Sequence, residues 1–154
     1  ATWGDYNRDG RPDLYIANDW GLDVLFRNDG SGGFTDVTTQ AGVTAYGYAM
    51  GASWGDYDND GQDDLYVSNM YSEPGRRITK QIPGLEKMFI ESAAGNWLYH
   101  QVANGKFEQV AGLMPPSMTV MKAGWSWGGC FADFDNDGYV DVYLTALGPN
   151  RLRR

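Results

Sequence analysis

The stretch DYDNDGQDD, residues 56–64, holds five aspartates in nine positions. Like charges at that spacing repel, so the cluster needs a partner of opposite sign. The chain repeats it as DYNRDGRPD at residues 5–13 and DFDNDGYVD at residues 133–141. Counted from the first aspartate, side-chain oxygens fall at the first, third, fifth and ninth places, with glycine at the sixth. The first copy supplies Asp5, Asn7, Asp9 and Asp13 with Gly10. The second supplies Asp56, Asp58, Asp60 and Asp64 with Gly61, and the third Asp133, Asp135, Asp137 and Asp141 with Gly138. Asp63 falls outside this pattern and is expected to face solvent.

A hard divalent cation takes about six to eight oxygen ligands, and Ca²⁺ tolerates irregular geometry. Alternate side chains in a tight loop converge on one point, and glycine permits the sharp turn. The main-chain carbonyl at the seventh place (Arg11, Gln62 or Tyr139) can add an oxygen. Up to three Ca²⁺ are therefore expected, which would bring the formal charge from −8 to −2. No loop contains His or Cys, which disfavours zinc and copper. Mg²⁺ keeps more of its waters and wants tighter octahedral geometry. The spacing is the first half of an EF-hand loop, but the twelfth place is Ile16, Val67 or Leu144, so the ninth-place carboxylate stands in for the missing Glu. Asp, Asn and Gly are also ordinary turn residues. Three copies with one spacing favour a metal over a solvated turn. The first loop has an Asn where the others have a fourth carboxylate, so its site is expected to be the weakest.

An aromatic residue lies two places before each loop: Trp3, Trp54 and Phe131. After each comes a run of strand character, DLYIAN, DLYVSN or DVYLTA, in which Leu14, Ile16, Leu65, Val67, Val142 and Leu144 alternate with other residues. A second element recurs: VLFRNDGSGGFTDV (24–37) aligns with WLYHQVANGKFEQV (97–110), each with a Gly/Asn-rich centre between apolar runs, a hairpin signature. One unit is thus strand, acidic loop, strand, hairpin. The spacing predicts an all-β chain with units at residues 1–43, 48–113 and 123–154. The last aligns Leu152 with Leu25 and is expected to be a partial unit of a longer array. Residues 71–96 form an insertion in the second unit. Ile78, Ile82, Leu85 and Phe89 suit one face of a helix, and Pro83 limits that helix to about residues 84–93.

Composition excludes some functions. Twelve of the twenty acidic residues are aspartates in the three loops, and so acidic a chain is a poor partner for nucleic acid. No apolar run approaches the roughly 20 residues of a membrane helix. The single cysteine, Cys130, cannot form an intramolecular disulfide and is expected to be a small buried residue. His100 aligns with Arg27 on a hairpin strand and is expected to be structural. Glu73, Glu86, Glu91 and Glu108 form no acid/base pair in sequence, and Ser53 and Ser126 have no nearby base. Trp20, Trp97, Trp125 and Trp127 are read as fillers between sheets rather than sugar-stacking platforms.

The combination D-x-[DN]-x-D-G-x-x-D followed by DLYV, with the hairpin LFRNDGSGGFTDV, resembles the FG-GAP/VCBS repeat, also found in integrin α-subunit propellers. The resemblance covers nearly all of the chain outside residues 71–96. It implies a β-propeller of four-stranded antiparallel blades, here about two full blades and part of a third, with Ca²⁺ in loops between strands. It also implies a non-catalytic module outside the cytosol (extracellular, cell-surface or periplasmic) that binds protein or glycan or assembles into a larger complex. The alternative is the propeller part of a calcium-dependent polysaccharide lyase or other carbohydrate-active enzyme. Arg76, Arg77 and Lys80 beside the apolar residues of the insertion would suit a partner surface.

Overall fold

The computed structural model describes residues 1–86, 89, 91–112, 114, 116–147 and 151–153. The first strands follow closely: β1 (Thr2–Gly4), β2 (Asp13–Ile16), β3 (Asp19–Leu22), β4 (Val24–Asn28) and β5 (Phe34–Asp36). Of these, β1, β2, β4 and β5 form an antiparallel sheet in that order, while β3 turns aside to pair with β6 (Tyr46–Tyr48). Between β5 and β6 lies the single turn α1 (Thr38–Ala41), closed by Gly42 in the left-handed conformation. The second sheet holds β7 (Gly51–Gly55), β8 (Asp64–Ser68), β9 (Trp97–Ala103) and β10 (Lys106–Gln109). The third holds β11 (Trp125–Ala132), β12 (Asp141–Leu147) and β13 (Arg151–Arg153). The chain is all-β with antiparallel sheets, as the alternation predicts.

The sheets share one register. Trp3 faces Leu14, Trp54 faces Leu65 and Phe131 faces Val142 across the first strand pair. Across the next pair Tyr15 faces Leu25, Tyr66 faces Leu98 and Tyr143 faces Leu152. The expected equivalence of Leu25, Leu98 and Leu152 is therefore a shared position in the hydrogen-bond ladder.

Period two then sorts the side chains between neighbouring sheets. Tyr15 and Leu25 of the first sheet meet Leu65, Val67 and Tyr99 of the second in one core. Tyr66 and Leu98 turn the other way and meet Val142 and Leu144 of the third. All five residues of β8 are buried, because it has a sheet on either side. Burial of a residue such as Leu25 or Leu98 contributes about 1.5–3 kcal/mol.

Close approach of sheets rests on glycine. The first strands β1, β7 and β11 lie beside one another. A Cβ on Gly4 would stand 2.6 Å from the Trp54 ring, and one on Gly55 would stand 2.5 Å from Phe131. The aromatic before each loop thus covers the glycine before the previous loop. Gly55→Ala is expected to displace Phe131 and cost about 1–3 kcal/mol, read as a lower urea midpoint. An unchanged midpoint would mean that the sheets do not meet there.

Two expectations are corrected. Cys130 is exposed. Gly129 and Phe131 turn toward the second sheet, against Tyr66 and Gly55, so the intervening Cys130 points away. In the insertion α2 (Glu73–Thr79) precedes the expected helix at 84–93, within which Phe89 and Glu91 are helical and residues 87, 88 and 90 lie outside the described residues. The Ser72 hydroxyl accepts the Gly75 amide at 3.1 Å, an N-cap that starts α2 early. Ile78 and Ile82 remain exposed, and Phe89 meets Tyr46 edge-on. Trp97 fills the first core as expected, but Trp20, Trp125 and Trp127 are exposed.

Candidate metal centre

Each acidic loop joins the first two strands of a sheet, so the three lie at the same end of neighbouring strands. Their internal bonding is the same. The first-place carboxylate accepts two amides: Asp5 from Asp9 and Gly10, Asp56 from Asp60 and Gly61, Asp133 from Asp137 and Gly138, all at 2.8–3.1 Å. The fifth-place carboxylate accepts the seventh-place amide: Asp9 from Arg11, Asp60 from Gln62, Asp137 from Tyr139, at 3.0, 2.7 and 2.9 Å. The ninth accepts the second-place amide: Asp13 from Tyr6, Asp64 from Tyr57, Asp141 from Phe134, at 3.3, 3.2 and 3.2 Å. Backbone amides thus aim the carboxylates inward.

Burial is graded along the loop. The ninth-place residues Asp13, Asp64 and Asp141 are buried, whereas Asp9, Asp58, Asp60, Asp133, Asp135 and Asp137 are exposed. Asp5, Asn7, Arg11, Asp56 and Gln62 are half-buried, and Tyr139 and Asp63 are exposed. Burial pushes the Asp13 and Asp64 carboxyls above the usual range despite the amides donated to them. Asp60 is held below that range by the Gln62 side chain and amide.

Asp56, Asp58 and Asp60 bring oxygens within 4.8 Å of one another, as do Asp133, Asp135 and Asp141. A second group in loop two joins Asp58 and Asp64 to His100. His100 Nδ1 stands 3.1 Å from Asp64 Oδ1 and 3.7 Å from Asp58 Oδ2. It was absent from the sequence reading of the loop, although it follows from register: one step beyond the Leu65–Tyr99 pair, Asp64 meets His100. In loop one Asp5, Asp9 and Asp13 form no such carboxylate group. There the Arg11 guanidinium lies 2.5 Å from Asp9 Oδ2, which also accepts Asn7 Nδ2 at 3.0 Å. The donor set is otherwise carboxylate and amide oxygen, with one buried anion per loop. It fits a hard divalent cation better than a soft one.

A further constant is the fourth place, left-handed in every loop: Arg8 at φ 56°, Asn59 at 58° and Asn136 at 61°. Asn adopts this conformation at less cost than Arg. Arg8→Asn is expected to stabilise the chain by up to about 1 kcal/mol, seen as a raised thermal midpoint in chelator. A fall would place Arg8 in a contact worth more than the strain. Asn59 Nδ2 also donates to the Gly138 carbonyl at 2.7 Å, which ties loop two to loop three.

Repeated antiparallel sheets whose first two strands are joined by aspartate loops of one spacing define a β-repeat protein by architecture. The FG-GAP-like repeat family model matches residues 5–67 and 85–144, and the chain belongs to that family. It is similar to cartilage acidic protein 1 from Mus musculus, 28% identical over 148 residues, and from Xenopus tropicalis, 26% identical over 146 residues. Both matches cover 92% of this chain and 19% of the relative, so the chain spans about a fifth of the length of these proteins. No helix among the described residues is long and apolar enough to cross a membrane.

Proposed function

We propose that the chain is a non-catalytic, calcium-stabilised repeat module that forms blades of an extracellular β-propeller and presents a surface for protein or glycan. The observation that carries this reading is the threefold loop geometry: one amide-bonding pattern, one turn and one buried ninth-place carboxylate. Ca²⁺ would neutralise that carboxylate and fix the connection between a sheet's first two strands. The likeness to a cartilage protein and the predominantly carboxylate donor set support a setting with millimolar calcium. The exposed Ile78 and Ile82 of the insertion support a partner surface there.

Thermal unfolding in chelator and in about 10 mM CaCl₂ tests the reading. Sites with Kd of about 10⁻⁴–10⁻³ M would each stabilise the fold by about 1–3 kcal/mol at that concentration. Magnesium at equal concentration is expected to do less. A melting temperature indifferent to calcium would sink the proposal. Loop one is expected to bind most weakly, because Arg11 already occupies Asp9; calorimetry showing three equal affinities would reject the ranking.

A further inference from the structure

At the opposite end of β7 and β11 from the aspartate loops lies a pocket of about 320 Å³. Trp20 and Tyr48 form one side, with ring centroids 4.7 Å apart and planes at 89°. Trp125 and Trp127, from the start of β11, form the other, and Met50 and Met70 complete the lining. Trp20, Trp125 and Trp127 are 66%, 48% and 55% exposed. Trp20 also holds φ 63°, a left-handed conformation that is costly for a bulky residue. A strained backbone that presents an indole to an open pocket points to a role for the ring.

The chemistry of the lining narrows the occupant. Among the described residues no charged side chain lines the pocket. The Ser126 hydroxyl is buried there and faces the buried phenol of Tyr66, so it is turned away from an occupant. A sugar needs several matched donors and acceptors, and this wall of rings and thioethers offers mainly indole N–H donors and the Tyr48 hydroxyl. A primary ammonium would lose its hydration without acceptors to replace it. A quaternary ammonium has no N–H to satisfy and is attracted to the faces of indoles and phenols. Charge agrees: the chain carries a formal −8, and exposed Asp19 is the cross-strand partner of Tyr48. We propose that this pocket binds a small quaternary ammonium compound of the choline type, held by cation–π contact with Trp20, Tyr48, Trp125 and Trp127. The proposal does not rest on the calcium reading, since the pocket and the loops share no residue.

The probes are choline chloride and its neutral isostere 3,3-dimethyl-1-butanol, each titrated into the protein with the indole N–H resonances as readout. Choline is expected to saturate and to bind about tenfold more tightly than the isostere. Trp20→Ala and Trp127→Ala should each weaken choline about tenfold, with the calcium response and melting temperature unchanged. Both positions are exposed, and if one variant fails to fold, the other and the isostere comparison still decide. Equal affinity for the two compounds would show a merely apolar pocket and overturn the proposal. So would unchanged choline binding in the folded variants, or the absence of saturation.

Discussion

Asp64→Ala is expected to cost about 3 kcal/mol or more in the absence of calcium, and to abolish the second loop's share of calcium stabilisation. The Asp64 carboxylate is fully buried and accepts the amides of Gln101 at 2.8 Å and Tyr57 at 3.2 Å. It also lies 3.1 Å from His100 Nδ1. Truncation leaves these donors without an acceptor, at about 1–3 kcal/mol for each that stays buried. The bonds tie the loop to β8 and β9 at once, so the damage is not confined to the turn. Asp63→Ala next door is the control. Asp63 is exposed, and its variant should lie within about 0.5 kcal/mol of the parent. Urea unfolding of both variants, with chelator and with calcium, measures the two effects separately. An Asp64→Ala protein as stable as Asp63→Ala in chelator would remove the structural part of the argument.

Asp23→Asn is expected to act in the opposite direction. Asp23 is 1% exposed, accepts the Asn18 amide at 2.8 Å and accepts the Tyr15 hydroxyl at 2.9 Å. Burial raises its pKa to about 6, against the pull of those two donors. The same place in the second repeat is Asn96, fully buried, whose side-chain oxygen accepts the Asn69 amide at 2.8 Å. The fold therefore accommodates the neutral residue. With the folded pKa above the unfolded one, the native state holds its proton more tightly, so stability is lost as pH rises from about 4 to about 6. The shift corresponds to about 3 kcal/mol across that window. The difference in unfolding free energy between Asp23→Asn and the parent should thus move toward the variant by about that amount between pH 4 and pH 7. Measurements in chelator keep the aspartate loops from adding a calcium-linked term. A difference that does not change with pH would show that Asp23 is ordinary in the folded chain.

The sequence spacing carried the aspartate loops, the strand pairs and the alignment of Leu25, Leu98 and Leu152, because each is a local pattern. A pattern of carboxylates at alternate places needs only the loop itself, and period two needs only the strand. Features that depend on contacts between strands were less legible. His100 reaches Asp64 only through cross-strand register. Cys130 was misread because a β-strand in an apolar run still has an outward face, and Gly129 and Phe131 take the inward one. The pairing of β3 with β6 spans β4, β5 and α1 and leaves only DWGL and YGY as traces. The left-handed fourth place could have been read from Asn59 and Asn136, since Asn before Asp-Gly marks a turn; Arg8 concealed it in loop one. The exposure of Trp20, Trp125 and Trp127 has no signature in composition, because an indole fills a core or lines a pocket equally well.

The central claim is that the repeated loops are calcium sites rather than acidic turns. Equilibrium dialysis of the chelator-stripped chain against ⁴⁵Ca²⁺, with Asp56→Asn/Asp60→Asn and Asp133→Asn/Asp137→Asn variants alongside, tests it most directly. The account predicts saturation at two to three ions per chain, with one ion lost in each double variant and the weakest site assigned to residues 5–13. Binding that fails to saturate at millimolar calcium, or a stoichiometry unaffected by either double variant, would contradict it.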